Sequence, residues 1–385
     1  FYKSSLFSTI NLRTTYGYSG NVDLSKTAAA VATYFTDAPA TGFPYAMIKT
    51  LNNPNLRWEK TSMLNAAIDF VVKRGRISGT VEYYHKKGTD LYGSTPYDYT
   101  TWGGSPSIIK NVAAISGKGV DITLNTRNLV GKFKWNTVVL FNYNSNKTTK
   151  YETTEADKIV SKLGAGGLIV PVIGKPLYSI SAYKWGGLDA NGNPQGYVNG
   201  KKSTDYDSIV TEGFNKGLEG NVVYVGPSSP PIFGSLINTF SFKGISLSVN
   251  LIYKLGYYFQ KTALSYSGLI NYGAGNKDYD KRWMKPGDEL KTNIPSFIYP
   301  VDDSRDAFYA LSEATVLKAD NVRIQYINLS WLLPFKYKNV PNIELYINVS
   351  NLGIIWRANK ENLDPDYPAT LKPEKSYAFG IRANF

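Results

Sequence analysis

Few residues in this chain are of types that do chemistry alone. Cysteine is absent and His85 is the single histidine. Disulfides and thiolate metal sites are therefore excluded, and imidazole catalysis or a multi-histidine metal centre has almost nothing to work with. Carboxylates occur in small clusters: Asp302-Asp303 with Asp306, and Asp364 with Asp366. Such spacing suits a loop cation site or a paired acid and base. With no buried partner in view, solvated charge is the expected reading. In Asp189-Ala-Asn-Gly-Asn193, the residues Asp189, Asn191 and Asn193 alternate as in a calcium loop, but the glutamate that should follow is missing. A tight turn is the better reading. No cofactor is expected, and calcium at this turn is the one weak candidate.

Charge and composition exclude more. Lys and Arg number 43 against 30 Asp and Glu, a net charge of +13. The basic residues are scattered among Tyr, Asn and Thr, so no nucleic-acid partner is expected. Aromatics make up 14% of the chain, with 30 Tyr and 17 Phe. That balance suits a surface passing from water to lipid, because the ring is apolar while the hydroxyl stays wet. No stretch approaches the roughly 18 apolar residues of a spanning helix, so a membrane reading must be a barrel reading. Phe1-Tyr-Lys-Ser-Ser resembles neither a secretory signal nor a mature N-terminus, and the numbering is expected to begin inside a longer polypeptide.

The elements that would hold these residues are strands. In the last eleven residues, Tyr377, Phe379, Ile381, Ala383 and Phe385 share one parity, and Ser376, Ala378, Gly380, Arg382 and Asn384 the other. Nine further segments alternate similarly: Leu6–Tyr18, Trp58–Val72, Arg76–Lys86, about Lys110–Thr126, from Phe133 to Asn144, Phe233–Phe242, Ile245–Leu255, Val316–Leu332, and Ile343–Ser350. In Val316–Leu332 the apolar parity shifts between Tyr326 and Ile327, which a β-bulge would absorb. Every second connection is a short turn, at Lys73, Asn128, Phe242 and Pro334, and every other one is long. Transmembrane barrels sort their connections this way, whereas soluble sandwiches have no reason to. The fold class expected is therefore all-β: an antiparallel transmembrane barrel with short periplasmic turns, long extracellular loops and a periplasmic C-terminus.

Parity then assigns roles. Arg13, Asp69, Glu82, Asp121, Lys254, Arg323 and Arg382 fall on the lumen face. They are candidates for touching substrate, against the blander expectation that they line a wet wall or pair with a plug. The loop aromatics Tyr34, Phe35, Trp102, Trp283 and Tyr309 are candidates for stacking on a substrate or meeting a lid, against packing within the loops. His85 reads as an interfacial side chain.

In order, the stretches Asn53-Pro-Asn-Leu-Arg-Trp-Glu59, Tyr83-Tyr-His-Lys-Lys-Gly-Thr-Asp-Leu91, Trp185-Gly-Gly-Leu-Asp-Ala-Asn-Gly-Asn-Pro194, Asn348-Val-Ser-Asn-Leu352, Asp364-Pro-Asp366 and the terminal strand resemble the C-terminal part of SusC/RagA-type TonB-dependent outer-membrane transporters of the Bacteroidetes. The likeness runs the length of the chain (residues 1–385). It implies that these ten strands belong to a barrel of about 22, with a plug and TonB box outside this sequence. It further implies a SusD-like surface lipoprotein as lid, the TonB complex as energy source, and outer-membrane lipid and lipopolysaccharide as surroundings. The cargo would be a polymer-derived nutrient, a glycan or a peptide. Tyr377, Phe379 and Phe385 resemble the terminal signal read by the outer-membrane assembly machinery. No enzymatic activity is expected; a non-transporting adhesin or structural barrel is the alternative.

Overall fold

The computed structural model describes residues 6–23, 27–72, 75–98, 100, 107–152, 163, 171–333 and 342–384. Ten strands form one antiparallel sheet in sequence order. They are β1 (Phe7–Asn21), β2 (Glu59–Val72), β3 (Ile77–Pro96), β4 (Ser107–Val130), β5 (Phe133–Tyr151), β6 (Ile232–Phe242), β7 (Ile245–Leu255), β8 (Asn321–Leu332), β9 (Asn342–Arg357) and β10 (Ser376–Asn384). Each expected strand is present, and the sheet is a meander with no crossover.

The register carries the alternation from strand to strand. One row across the sheet reads Leu12, Ile68, Val81, Ile122, Phe141, Gly234, Tyr253, Val322 and Trp356. Such a row faces one solvent throughout, because a one-residue slip anywhere would move every later side chain to the other face. Where Gly234 interrupts the row, the ring of Tyr253 lies over it and its hydroxyl donates to the Leu140 carbonyl at 3.0 Å. Leu12 is 75% exposed and Phe379 74%, as expected of a face that meets lipid.

Turn chemistry fixes the short connections. Between β6 and β7 only Lys243 and Gly244 intervene, with φ of 49° and 84°. Positive φ at both central residues gives the hairpin twist that matches the strands. A Cβ on Gly244 would also run into the Leu332 carbonyl of β8. The turns expected at Lys73-Arg74 and at Pro334–Pro341 lie outside the described residues.

Three differences from the sequence reading have physical causes. Strands β3, β4 and β5 run for 20, 24 and 19 residues, about twice the 9–11 residues that cross a bilayer. The distal stretches of β3 and β5 are largely polar and that of β4 is apolar on both parities, so alternation fades where the strand does not. Val316–Lys318 pairs with Tyr258–Gln260 instead of opening β8. The extra residue in β8 is Gln325, which the ladders on both sides skip. The parity break locates it a residue late because Tyr326 suits either face.

The long connections fold together at the opposite rim from the short turns. The 152–231 segment contains helix α1 (Tyr206–Lys216), and the 256–320 segment contains α2 (Tyr266–Tyr272) and α3 (Asp303–Ala310). Asp205, Ser265 and Asp302 cap these helices, each accepting a backbone N–H three residues on. Tyr183, Tyr206, Ile209 and Val222 from one segment and Phe308 from the other form a common buried core. The loops are thus a second folded layer.

Candidate functional site

The inward face contains four charged groups, and the structure pairs most of them. The Arg13 guanidinium forks onto Asp69, with Nε at 2.7 Å from Oδ2 and Nη2 at 3.2 Å from Oδ1. Thr80 donates to the same carboxylate at 2.7 Å. Arg13 remains 55% exposed, so this pair lines a wet wall. Glu82 and Asp121 stand directly opposite one another on β3 and β4. Like charges in register repel, so this pair favours a cationic neighbour. Arg382 pairs with Glu344 across β9 and β10 at 3.1 Å.

The fourth group corrects the sequence reading. Asp364 and Asp366 are not solvated. Arg323 Nη2 lies 3.0 Å from Asp364 and 2.9 Å from Asp366, and Lys254 Nζ lies 2.8 Å from Asp366. The Arg323 and Asp364 side chains are 12% and 8% exposed. Lys254 and Arg323 therefore tie the connection between β9 and β10 to the wall. These groups border a cavity of about 730 Å³ that Asn351, Tyr367 and Lys375 also line.

At the mouth, the loop aromatics separate. Tyr34 is 83% exposed, on a small hairpin of Val31–Phe35 with Tyr45–Thr50. Phe35 stacks on Tyr45 with ring centroids 4.9 Å apart. Trp283 donates its indole N–H to Glu289 at 2.9 Å, and this bond is the main reason the Glu289 carboxyl sits below its usual range. Tyr309 is 1% exposed. It is a core residue of the loop layer and cannot meet a ligand or lid, because α3 turns it inward with Phe308. Trp102 and the terminal Phe385 lie outside the described residues, whereas Tyr377 and Phe379 are exposed on the outer face of β10.

Asp189 closes a turn: its Oδ1 accepts the N–H of Asn191 at 2.8 Å and of Asn193 at 2.7 Å, and its Oδ2 accepts from Asn193 Nδ2 at 3.1 Å. Asp302, expected to be solvated, caps α3, and Asp306 is buried, accepting from the Ser265 hydroxyl and the Ser267 N–H. His85 Nε2 sits 3.1 Å from Ser116 Oγ. No carboxylate among the described residues orients that ring, so the pair lacks the third member a nucleophile needs.

Sequence reasoning missed the two groups that hold the loop layer together. Lys261, 5% exposed in its side chain, bonds Asp278 at 2.9 Å and Glu361 at 2.7 Å. Arg305, 2% exposed, donates through Nη2 to the carbonyls of Gly192 at 3.1 Å and Ser296 at 2.9 Å. These partners lie up to 113 residues apart, and no local pattern marks them. Burial in this layer pushes the phenols of Tyr183, Tyr206 and Tyr266 up to about 12. It also raises Tyr309, which the nearby carboxylates of Asp278 and Glu361 reinforce.

No protein-family model matches the chain. It is similar to the TonB-dependent receptor P26 of Formosa agariphila, at 27% identity over 94% of this chain and 36% of the relative. It is also similar to the TonB-dependent receptor SusC of Bacteroides thetaiotaomicron, at 24% identity over 94% of this chain and 36% of that protein. The chain thus spans about a third of the length of these curated relatives. Among solved structures, the RagAB peptide transporter covers 100% of the chain with a TM-score of 0.75 at 21% identity, and the chain spans 42% of the matched one. The open-open state of the same importer gives a TM-score of 0.73. Its ordered meander, sorted connections and whole-length likeness mark the chain as similar to a β-barrel segment of SusC/RagA-type TonB-dependent receptors.

Proposed function

We propose that this chain supplies part of the wall and the extracellular cover of an outer-membrane importer for oligomeric nutrients, driven by TonB. Its partner on the cell surface is a SusD-like lipoprotein, which closes the mouth as a lid. The C-terminus and the short connections face the periplasm. The observation that carries this reading is the loop layer. Two long connections share one buried core over a single rim, and Arg323 and Lys254 anchor a third to the wall beneath it. A structural barrel has no need of a folded vestibule with a charged cavity below it.

Import of a large polar solute suits the inward face. Paired charges such as Arg13 with Asp69 and facing carboxylates such as Glu82 and Asp121 offer hydrogen bonds without a closed pocket. Exposed Tyr34 at the mouth gives a flat apolar ring for a sugar face or a lid side chain. Growth of an in-frame deletion strain on a panel of glycans and peptides tests the reading. The expected result is loss of growth on one class of oligomer, with growth on its monomer intact. Undiminished growth across a panel that covers both classes would refute it.

A further inference from the structure

The outer face of the sheet carries a polar level near the short turns, separated by apolar rows from the distal polar side chains such as His85 and Lys118. At the short-turn level Thr126 and Asn128 of β4, Trp135 and Thr137 of β5, and Asn238 of β6 form a continuous hydrogen-bonded chain across three strands. Thr126 donates to Asn128 Oδ1 at 2.9 Å, and Asn128 Nδ2 donates to Thr137 Oγ1 at 2.7 Å. Thr137 then donates to Asn238 Oδ1 at 2.7 Å, and the Trp135 indole N–H reaches the same oxygen at 2.9 Å. The ladder skips Asn128, which sits in a bulge beside Leu129. Because an indole N–H only donates, it identifies the oxygen of the Asn238 amide. Asn238 Nδ2 is then left with no hydrogen-bond partner among the described residues. At headgroup depth, an unmatched donor on a lipid-facing strand is open to an acceptor outside the protein, such as a headgroup oxygen.

In the sequence, the short connections carry charge of one sign. The four short connections, residues 73–76, 127–134, 242–245 and 333–342, contain nine Lys or Arg and no Asp or Glu. The long connections are balanced: residues 147–231 hold nine basic and eight acidic residues, and residues 260–320 hold eight basic and nine acidic. Among the described residues of the short connections, Arg76, Arg127, Lys132, Lys134 and Lys243 are basic and none is acidic. Arg76 is held there by its Nη1, which donates to the Arg127 carbonyl at 3.0 Å, next to Asn128. Trp135, stacked on Phe240 at 5.7 Å, marks the depth at which aromatic side chains meet headgroups.

We propose that this outward-facing polar chain and the basic rim below it bind the phosphate headgroup of an anionic phospholipid. Asn238 Nδ2 supplies the hydrogen bond and Arg76, Lys132 and Lys243 of the adjoining turns the charge. The inference rests on the orientation given above, which places the rim at the periplasmic leaflet. The polar chain projects sideways from the sheet, so its occupant is a lipid and not a soluble periplasmic polymer.

Native mass spectrometry of the detergent-purified receptor tests this, with phosphatidylglycerol and phosphatidylcholine of matched acyl chains as probes. Phosphatidylglycerol is expected to be retained more tightly. Each basic residue near a membrane surface contributes about a fivefold factor, so the double variant Lys132→Gln/Lys243→Gln should reduce the preference by about 25-fold. Asn238→Leu should weaken retention of both lipids several-fold while folding normally by heat-modified gel mobility. Equal retention of the two lipids by the unmodified receptor would overturn the proposal. So would variants that bind as the parent does, or that lose lipid A instead of phosphatidylglycerol. Nutrient uptake is measured separately, so failure here leaves the transport reading untouched.

Discussion

Arginine placed at successive depths of β7 gives a quantitative test of which face meets lipid. Leu251 lies one residue from the middle of this 11-residue strand, whereas Leu247 lies two from its short-turn end. Both share parity with Tyr253, and their cross-strand neighbours are Leu236 and Ile324 for Leu251, and Phe240 and Leu329 for Leu247. At a rise of about 3.3 Å per residue and a tilt of about 40°, Leu251 sits roughly 10 Å deeper. Arginine on the lipid face costs about 2–4 kcal/mol at the midplane and about 0–1 near an interface. Leu251→Arg should therefore lower the folding equilibrium by about 30- to 1,000-fold, Leu247→Arg by about fivefold or less, and Ser248→Arg, facing the lumen, by little. Folding into lipid vesicles across a denaturant series, read by heat-modified mobility, measures all three. Equal tolerance at Leu251 and Ser248 would refute the face assignment, and equal cost at Leu251 and Leu247 would refute the depth.

Three further outcomes are expected. Arg323→Met leaves Asp364 buried beside only its backbone contacts and should cost about 3 kcal/mol, freeing residues 358–375 to limited proteolysis; uncut loops in the variant would contradict the tether. The second concerns alkaline pH. The neutral phenols of Tyr183, Tyr206 and Tyr266 are favoured in the folded layer, with folded pKa values near 12 above an unfolded value of about 10. Their stabilisation is complete below pH 10 and lost as pH climbs to 12. A 295 nm titration should show a late ionising phase that coincides with loop melting, and a single phase near pH 10 would count against it. Finally, deleting Phe385 should lower the amount of assembled receptor without changing uptake per assembled molecule, and reduced uptake at normal abundance would contradict an assembly role.

Much of the fold was legible because period-two alternation is local. A strand such as Ile245–Leu255 announces both its faces in eleven consecutive residues, and the sorted turn lengths order the strands without knowledge of any contact. The charged residues on the inner parity were legible as positions and not as partners. Arg323 meets Asp364 across 41 residues, and the sequence reading left both acids in water. The loop layer was the least legible part. Its helices are short, and Arg305, Lys261 and Tyr309 are buried by segments far away in sequence. Nothing within a window around Tyr309 distinguishes a core ring from one offered to a ligand.

The central claim is energised import, and uptake of a labelled oligomer by intact cells tests it most directly. The oligomer is chosen from the class on which the deletion strain fails to grow, and uptake is followed before and after the proton-motive force is collapsed. The account predicts accumulation that requires both this protein and the force, with only surface binding once the force is gone. Accumulation unchanged by its collapse, or by loss of the protein, would contradict the claim.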